Sequence, residues 1–234
     1  MTAVIASREK PRHSSGMLIW KLFFGLFTLM GAGVIWFSTA RPIVVLPRIA
    51  LAPGFYLTDQ NGETFTSEAL RGQIALYNFT YTNCAAPCIQ TSHVMAEVQT
   101  RLPEVVATVP LKLVTFSIDP TRDEVAQLEA FATAMGADTA VWHMATGGAQ
   151  QLKSVIGGGY SVFYKEMGDG TFKLDPAFFL VDGSGVIRAE YRSATPDVNI
   201  IMRDFGLLAA EVQNSEGIYR FAYEAAHLFS CYPR

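Results

Sequence analysis

Two of the three cysteines in this chain stand four residues apart, in the run Thr80-Tyr81-Thr82-Asn83-Cys84-Ala85-Ala86-Pro87-Cys88. The apolar residues before them read as a strand and residues 89–102 as a helix, so the pair sits where a strand passes into a helix N-terminus. Unpaired N–H groups and the positive end of the helix dipole favour a thiolate at such a place. Two sulfurs at i and i+4 on one helical face can join as a disulfide or grip a soft ion such as Cu(I). In a redox role Cys84 attacks as the thiolate and Cys88 resolves. In a metal role Cys84 and Cys88 are both thiolate ligands, and a permanently bonded pair would be structural.

The other reactive residue types read more simply. His93 follows Cys88 by five positions, about 140° further round a helix, which turns it away from an ion held by the sulfurs. His143 belongs to its strand as scaffold. Asp119 and Asp123 flank Pro120 ahead of a helix and read as caps. Cys231 lies four residues from the end and reads as a free or buried thiol. The run Gly157-Gly158-Gly159 is a turn, because no GKS or GxGxxG context makes it a phosphate cradle.

Several elements must position the cysteines. Residues 55–65 form a hairpin turning at Asn61-Gly62. Strands are expected at 73–80, 111–118, 140–144, 160–164, 177–181 and 186–191, the last two joined by Asp182-Gly183-Ser184-Gly185. Helices are expected at 89–102, 124–135, 149–156 (ended by the three glycines) and 197–212, with Asp197 as an N-cap. Strands alternating with helices imply an α/β domain with a mainly parallel sheet and an antiparallel hairpin at one side, a thioredoxin-like fold.

Composition sets the surroundings. The chain has 234 residues, 50% of them hydrophobic, enough for one sizeable core with appendages. Its net charge is −3, and because residues 1–21 carry +3 the remainder is acidic. That excludes a nucleic-acid partner, which needs a basic face. Three cysteines are too few for a disulfide scaffold. Residues 17–37 hold a single charge, Lys21, and are long enough to cross roughly 30 Å of hydrocarbon as a helix. Trp20 and Trp36 fall near its two ends. Arg8, Lys10 and Arg12 before it favour a cytoplasmic N-terminus, which leaves the main domain outside the cytoplasm, where thiols meet oxidants. A cleaved signal peptide is the competing reading, with Ser38-Thr39-Ala40 as small residues at cleavage spacing.

The chain divides into a cytoplasmic segment (1–16), a transmembrane helix (17–37) that contacts membrane lipid, a proline-rich extended linker (38–53), the thioredoxin-like domain (54–213) and a tail (214–234). The tail is rich in apolar and aromatic residues, including Ile218, Phe221, Tyr223, Leu228 and Phe229. It reads either as a helix packing on its own domain or as a docking element.

Four segments resemble the Sco/SenC proteins of respiratory oxidase assembly: residues 79–88, Ser117-Ile118-Asp119-Pro120-Thr121-Arg122-Asp123, Trp142-His143-Met144-Ala145-Thr146-Gly147 and Leu180-Val181-Asp182-Gly183-Ser184-Gly185. The resemblance covers residues 50–210. It implies a thioredoxin fold on one N-terminal transmembrane helix, copper binding and thiol chemistry while an oxidase copper centre is built. Three positions depart from the family pattern. Ala85 and Ile89 stand where proline usually follows each cysteine, and Leu174 stands where the copper-binding histidine is expected. None of the four histidines, His13, His93, His143 and His227, replaces it. Residues 176–182 also resemble the stretch of membrane-tethered thioredoxin-like reductases that carries a cis-proline. That implies a cis Asp175–Pro176 bond, with Pro176 lining the thiol site and keeping a metal away.

The expected function is therefore a membrane-anchored, extracytoplasmic (periplasmic, inner-membrane) protein of respiratory oxidase assembly. It would act through Cys84 and Cys88 by thiol–disulfide exchange or Cu(I) handling. The alternative is a non-catalytic accessory subunit of a membrane respiratory complex, with the domain and tail as docking surfaces.

Overall fold

The computed structural model describes residues 15–40, 43–86, 88–214 and 219–229. His13, Pro87 and Cys231 lie outside them. Helix α1 (Ser15–Ala40) is a body by itself. Its stretch Gly16–Trp36, 21 residues, is long and apolar enough to cross a membrane.

The second body, Ile43–Arg234, opens with β1 (Ala50–Leu51), β2 (Tyr56–Asp59), β3 (Thr64–Thr66) and β4 (Ile74–Thr80). Helix α2 (Cys88–Arg101) leads to β5 (Leu111–Ser117), and α3 (Val125–Ala134) to β6 (Trp142–Thr146). After α4 (Ala149–Leu152) come β7 (Tyr164–Glu166), β8 (Phe172–Leu174), β9 (Phe178–Val181), β10 (Val186–Tyr191), α5 (Val198–Asn214) and α6 (Tyr219–Phe229).

All of β4 is buried, as a strand covered on both faces should be. Its side chains alternate between two cores. Ile74 and Leu76 join Val94, Met95 and Val98 of α2, Leu128 of α3 and Phe205 of α5. Ala75, Tyr77 and Phe79 face an aromatic core with Phe55, Phe116, Tyr160 and Phe179, closed by Leu152 and Ile156. Helices on both faces of one mixed sheet give the thioredoxin-like layer order, and the strands run β1-β10-β9-β4-β5-β6-β2-β3.

Among the described residues, parallel pairing is confined to β4–β5 and β5–β6. The expectation of a mainly parallel sheet with one hairpin is corrected here, since antiparallel pairs flank this centre on both sides. The connections made of a single helix, α2 and α3, return the chain to the same end of the sheet, whereas the longer path through α4 and the β7–β8 hairpin brings β9 back in the opposite direction. The two hairpin turns share one construction. Asp59 Oδ1 accepts the N–H groups of Asn61 and Glu63, and Asp182 Oδ1 those of Ser184 and Val186.

Three further expectations are corrected. The glycine run does not end the helix: α4 continues as π-helical turns over Lys153–Gly159. Gly159 is needed there because a Cβ would meet Pro53 Cβ at 2.4 Å. Residues 160–164 are not a strand of the main sheet. Tyr160 closes the π-helical stretch as a core residue, and Tyr164 begins β7, which pairs with β8 in a separate two-stranded sheet. In the stretch read as a linker, Val45 and Leu46 are fully buried and β1 pairs with β10.

The tail helix α6 packs on its own domain. Ala226 is buried, Tyr223 Oη donates to Ala210 O (3.4 Å), and His227 Nε2 lies 3.0 Å from Glu211 Oε1. Glu211 also receives Arg188, itself 2% exposed, at 2.7 Å. The same guanidinium reaches Asp182 (2.9 Å) and the carbonyls of Leu46 and Pro47. One cation thus ties the chain entry, the β9–β10 turn and α5 together. Replacing Arg188 by Leu strands two carboxylates in low dielectric and should cost ~3–5 kcal/mol, read from urea unfolding curves; an unchanged midpoint would contradict this role.

Candidate redox site

Cys84 and Cys88 are joined as a disulfide, with Cα atoms 5.8 Å apart. Cys88 opens α2 and is 7% exposed, while Cys84 is half-buried in the preceding loop. A tight turn presents them: the N–H groups of Cys88 and Ile89 both donate to Ala85 O, at 3.0 and 3.2 Å. Thr80, at the end of β4, brings its Oγ1 to 3.1 Å from Cys88 Sγ.

The loop is held from outside by a buried carboxylate. Asp123 accepts Thr82 N (2.9 Å), Thr82 Oγ1 (2.6 Å) and Ser117 Oγ. The capping role expected for it is corrected, because α3 starts at Val125 behind Glu124, which makes no side-chain cap bond. Asp119 is likewise not a cap. It accepts Thr121 Oγ1 (2.7 Å) and Arg122 Nε, and Arg122 in turn donates to Gly170 O and lies over the Phe172 ring. The Ser117–Asp123 run is therefore a clamp that fixes both the cysteine loop and the β7–β8 hairpin.

That hairpin forms one wall of the site. Phe172 N donates to Tyr81 Oη (3.3 Å) and the two rings lie 5.1 Å apart. Leu174, with Tyr164, Phe172 and Cys84, packs against the aromatic core that contains Cys88. The position where the Sco resemblance implies a histidine is thus an apolar contact. Pro176 is half-buried between β8 and β9. Because β9 pairs antiparallel with β4, Asn78 opposite Phe178, Pro176 enters at the Thr80 end of the sheet.

Beneath the loop a line of buried polar groups crosses the sheet. Trp142 Nε1 donates to Thr115 Oγ1 (2.8 Å), and Thr115 to Asn78 Oδ1 (2.6 Å). Asn78 Nδ2 donates to Thr91 Oγ1 (3.3 Å), and Thr91 to the carbonyl of Cys88 (2.8 Å). An indole N–H can only donate, so it sets the direction of every later bond.

The described histidines lie elsewhere. His93 is exposed on α2. His143 stacks on Phe65 (centroids 4.7 Å apart) with Nδ1 3.9 Å from Asp59 Oδ2. Burial pushes its pKa down, Lys112 adds to that, and Asp59 opposes it. Burial also pushes the phenols of Tyr77 and Tyr160 above their ordinary value. Among the described residues no group of three or more His, Cys, Asp or Glu is placed to hold a metal. Reduced, the pair would offer two soft sulfur donors, a set that fits Cu(I) and gives Cu(II) no nitrogen or oxygen partner.

A mixed sheet with helices on both faces and a disulfide at its strand–helix junction defines a thioredoxin-like class of fold. Within that class the SCO1/SenC family model matches residues 46–209, and the chain belongs to this family. The SCO1 protein homolog of Bacillus subtilis (strain 168) is 27% identical over 155 residues, 63% of this chain and 77% of that one. Two solved structures share the fold. BsSco, a member of the Sco family of cytochrome c oxidase assembly proteins for which a disulfide switch is described, has a TM-score of 0.62 at 22% identity, over 71% of this chain and 97% of its own. Arabidopsis thaliana ScoI with copper bound has a TM-score of 0.60 at 22% identity, over 70% and 99%.

Two predictions follow from the geometry. Asp123→Ala leaves three donors unpaired and should cost ~3 kcal/mol. It should also open the cysteine loop to proteolysis under native conditions; unchanged melting and cleavage would refute the clamp. For His143, the unfolded chain takes up a proton near the ordinary 6.5 while the folded protein resists it. Its contribution is intact above that pH and is lost as pH falls through and below it. His143→Phe keeps the stack on Phe65 and should flatten the fall in urea midpoint between pH 7.5 and 5; an identical slope would contradict the assignment.

Proposed function

We propose that this Sco protein acts by thiol–disulfide exchange at Cys84–Cys88 on a cysteine pair of a respiratory oxidase subunit during assembly, in an extracytoplasmic domain anchored by α1. The observation that carries this reading is the asymmetry of the pair: Cys84 is reachable from solvent, while Cys88 is buried at the first residue of α2. An incoming thiolate attacks Cys84 Sγ, the sulfur–sulfur bond breaks, and its electron pair leaves on Cys88 Sγ. The client's second thiolate then attacks the mixed disulfide and releases Cys84. The client is oxidised to a disulfide, and the protein holds two electrons and, after protonation, two thiols. Pro176, beside the same end of the sheet, would line the client's approach.

Cu(I) is the second cargo the donors fit. The reduced sulfurs could hold it as a two-thiolate complex, in keeping with the copper seen in a Sco relative. Leu174 supports transient Cu(I) passage over a stored Cu(II) centre, since its side chain offers no donor atom. The extracytoplasmic placement rests on the apolar α1 and on the need of such a pair for an oxidising compartment.

A second reading, an accessory subunit of a respiratory complex, draws on Leu174 and on α6, whose Phe221 and Leu228 are 77% and 79% exposed. Stoichiometric co-purification with a haem-containing complex in detergent would favour it.

The decisive genetic test replaces both cysteines by serine in the cell. Membrane oxidase activity should fall at least severalfold, and normal activity would end both the thiol and the copper roles. Titration of the reduced protein should show Cu(I) bound by the sulfur pair and no Cu(II)–thiolate absorption band. A strong Cu(II) band would overturn the two-sulfur assignment.

A further inference from the structure

The Thr80 hydroxyl is 2% exposed and points its oxygen at Cys88 Sγ from 3.1 Å. It has no other hydrogen-bond partner among the described residues. A disulfide sulfur is a weak acceptor, so in the oxidised protein this buried donor is poorly used. When the bond opens, the electron pair arrives on that same sulfur, and a thiolate is a strong acceptor. A hydrogen bond to a charged group is roughly twice as strong as a neutral one.

The residue is also held in place from the other side. The line from Trp142 through Thr115, Asn78 and Thr91 ends on the backbone carbonyl of Cys88. Its four side chains are essentially inaccessible to solvent. With its carbonyl held by Thr91 and its amide donating to Ala85 O, the Cys88 backbone is fixed at the first turn of α2, beside Thr80.

We propose that Thr80 is a catalytic residue of the exchange reaction: its hydroxyl donates to the Cys88 thiolate as that sulfur leaves, and the Trp142–Thr115–Asn78–Thr91 line positions Cys88 to receive it. The proposal rests on the exchange reading above and adds to it a direction, since Cys88 becomes the better leaving group and Cys84 the sulfur that clients attack. The Thr80 proton stays on oxygen throughout; only its acceptor changes, from a bonded sulfur to an anionic one.

The test uses full-length protein in a Cys84→Ser/Cys231→Ser background, where Cys88 is the one remaining thiol. Thiolate formation is followed by its ultraviolet absorbance across pH. Thr80→Val removes the donor at near-constant volume and should lower the ionisation constant of Cys88 roughly 10- to 100-fold. Thr80→Ser keeps the donor and should restore the parent titration. Thr80→Ala serves as a second donor-free variant should valine perturb the fold, which near-ultraviolet circular dichroism reports. With both other cysteines retained, Thr80→Val should also slow reduction of the disulfide by dithiothreitol. A Cys88 titration that is identical with and without the hydroxyl overturns the proposal. None of these readouts involves an oxidase, so they stand apart from the double-cysteine test: failure there with success here would leave a tuned thiol pair without the assigned client.

Discussion

The structure depends on keeping the end of β4 and the first turn of α2 in fixed register at the Cys84–Cys88 disulfide. A strand end and a helix start each leave backbone groups unpaired, and here no regular element fills the gap. The loop and its neighbours do so instead. Asp123 takes the amide and hydroxyl of Thr82, and the Ala85 carbonyl takes the amides of Cys88 and Ile89. Asp123 is itself buried, where a lost partner is expensive, so the loop keeps its shape although it carries the half-exposed Cys84.

The same economy explains the surrounding architecture. The Ser117–Asp123 segment follows β5, the parallel neighbour of β4, so its polar groups emerge at the sheet end where the cysteines lie. Arg122 then extends the clamp to the β7–β8 hairpin, whose Phe172 and Leu174 complete an apolar wall. A wall of this kind supports chemistry between sulfurs and withholds the nitrogen ligand that a higher-valent copper ion would need. The distant end of the sheet is tied separately, through Arg188 and Glu211 to α5 and α6, away from the disulfide.

Much of this was legible in the chain. The cysteine spacing, the buried β4 pattern, the helix that follows it and the two Asp-led turns all follow from local rules, and each stands within a residue or two of its expected place. What escaped were groups whose partners are remote in sequence. Asp123 lies just ahead of a helix, so a local rule assigns it a cap; its partner Thr82 is 41 residues earlier. Trp142 stands in the sequence only as part of a family-like segment, and its N–H finds its partner 27 residues back on Thr115. Tyr160 looks like strand composition because aromatic residues suit both strands and cores. Leu174 was legible only as an absence, and the fold supplies its meaning: a contact in the site wall.

The central claim is that the Cys84–Cys88 bond opens and closes in the folded protein. The direct measurement is a redox titration of intact protein in graded dithiothreitol buffers, with alkylation and mass determination counting free thiols at each poise and circular dichroism following the fold. The account requires one reversible two-electron transition at these cysteines with tertiary structure retained on both sides. A pair that stays bonded until the domain unfolds would contradict it and leave the disulfide as a structural staple.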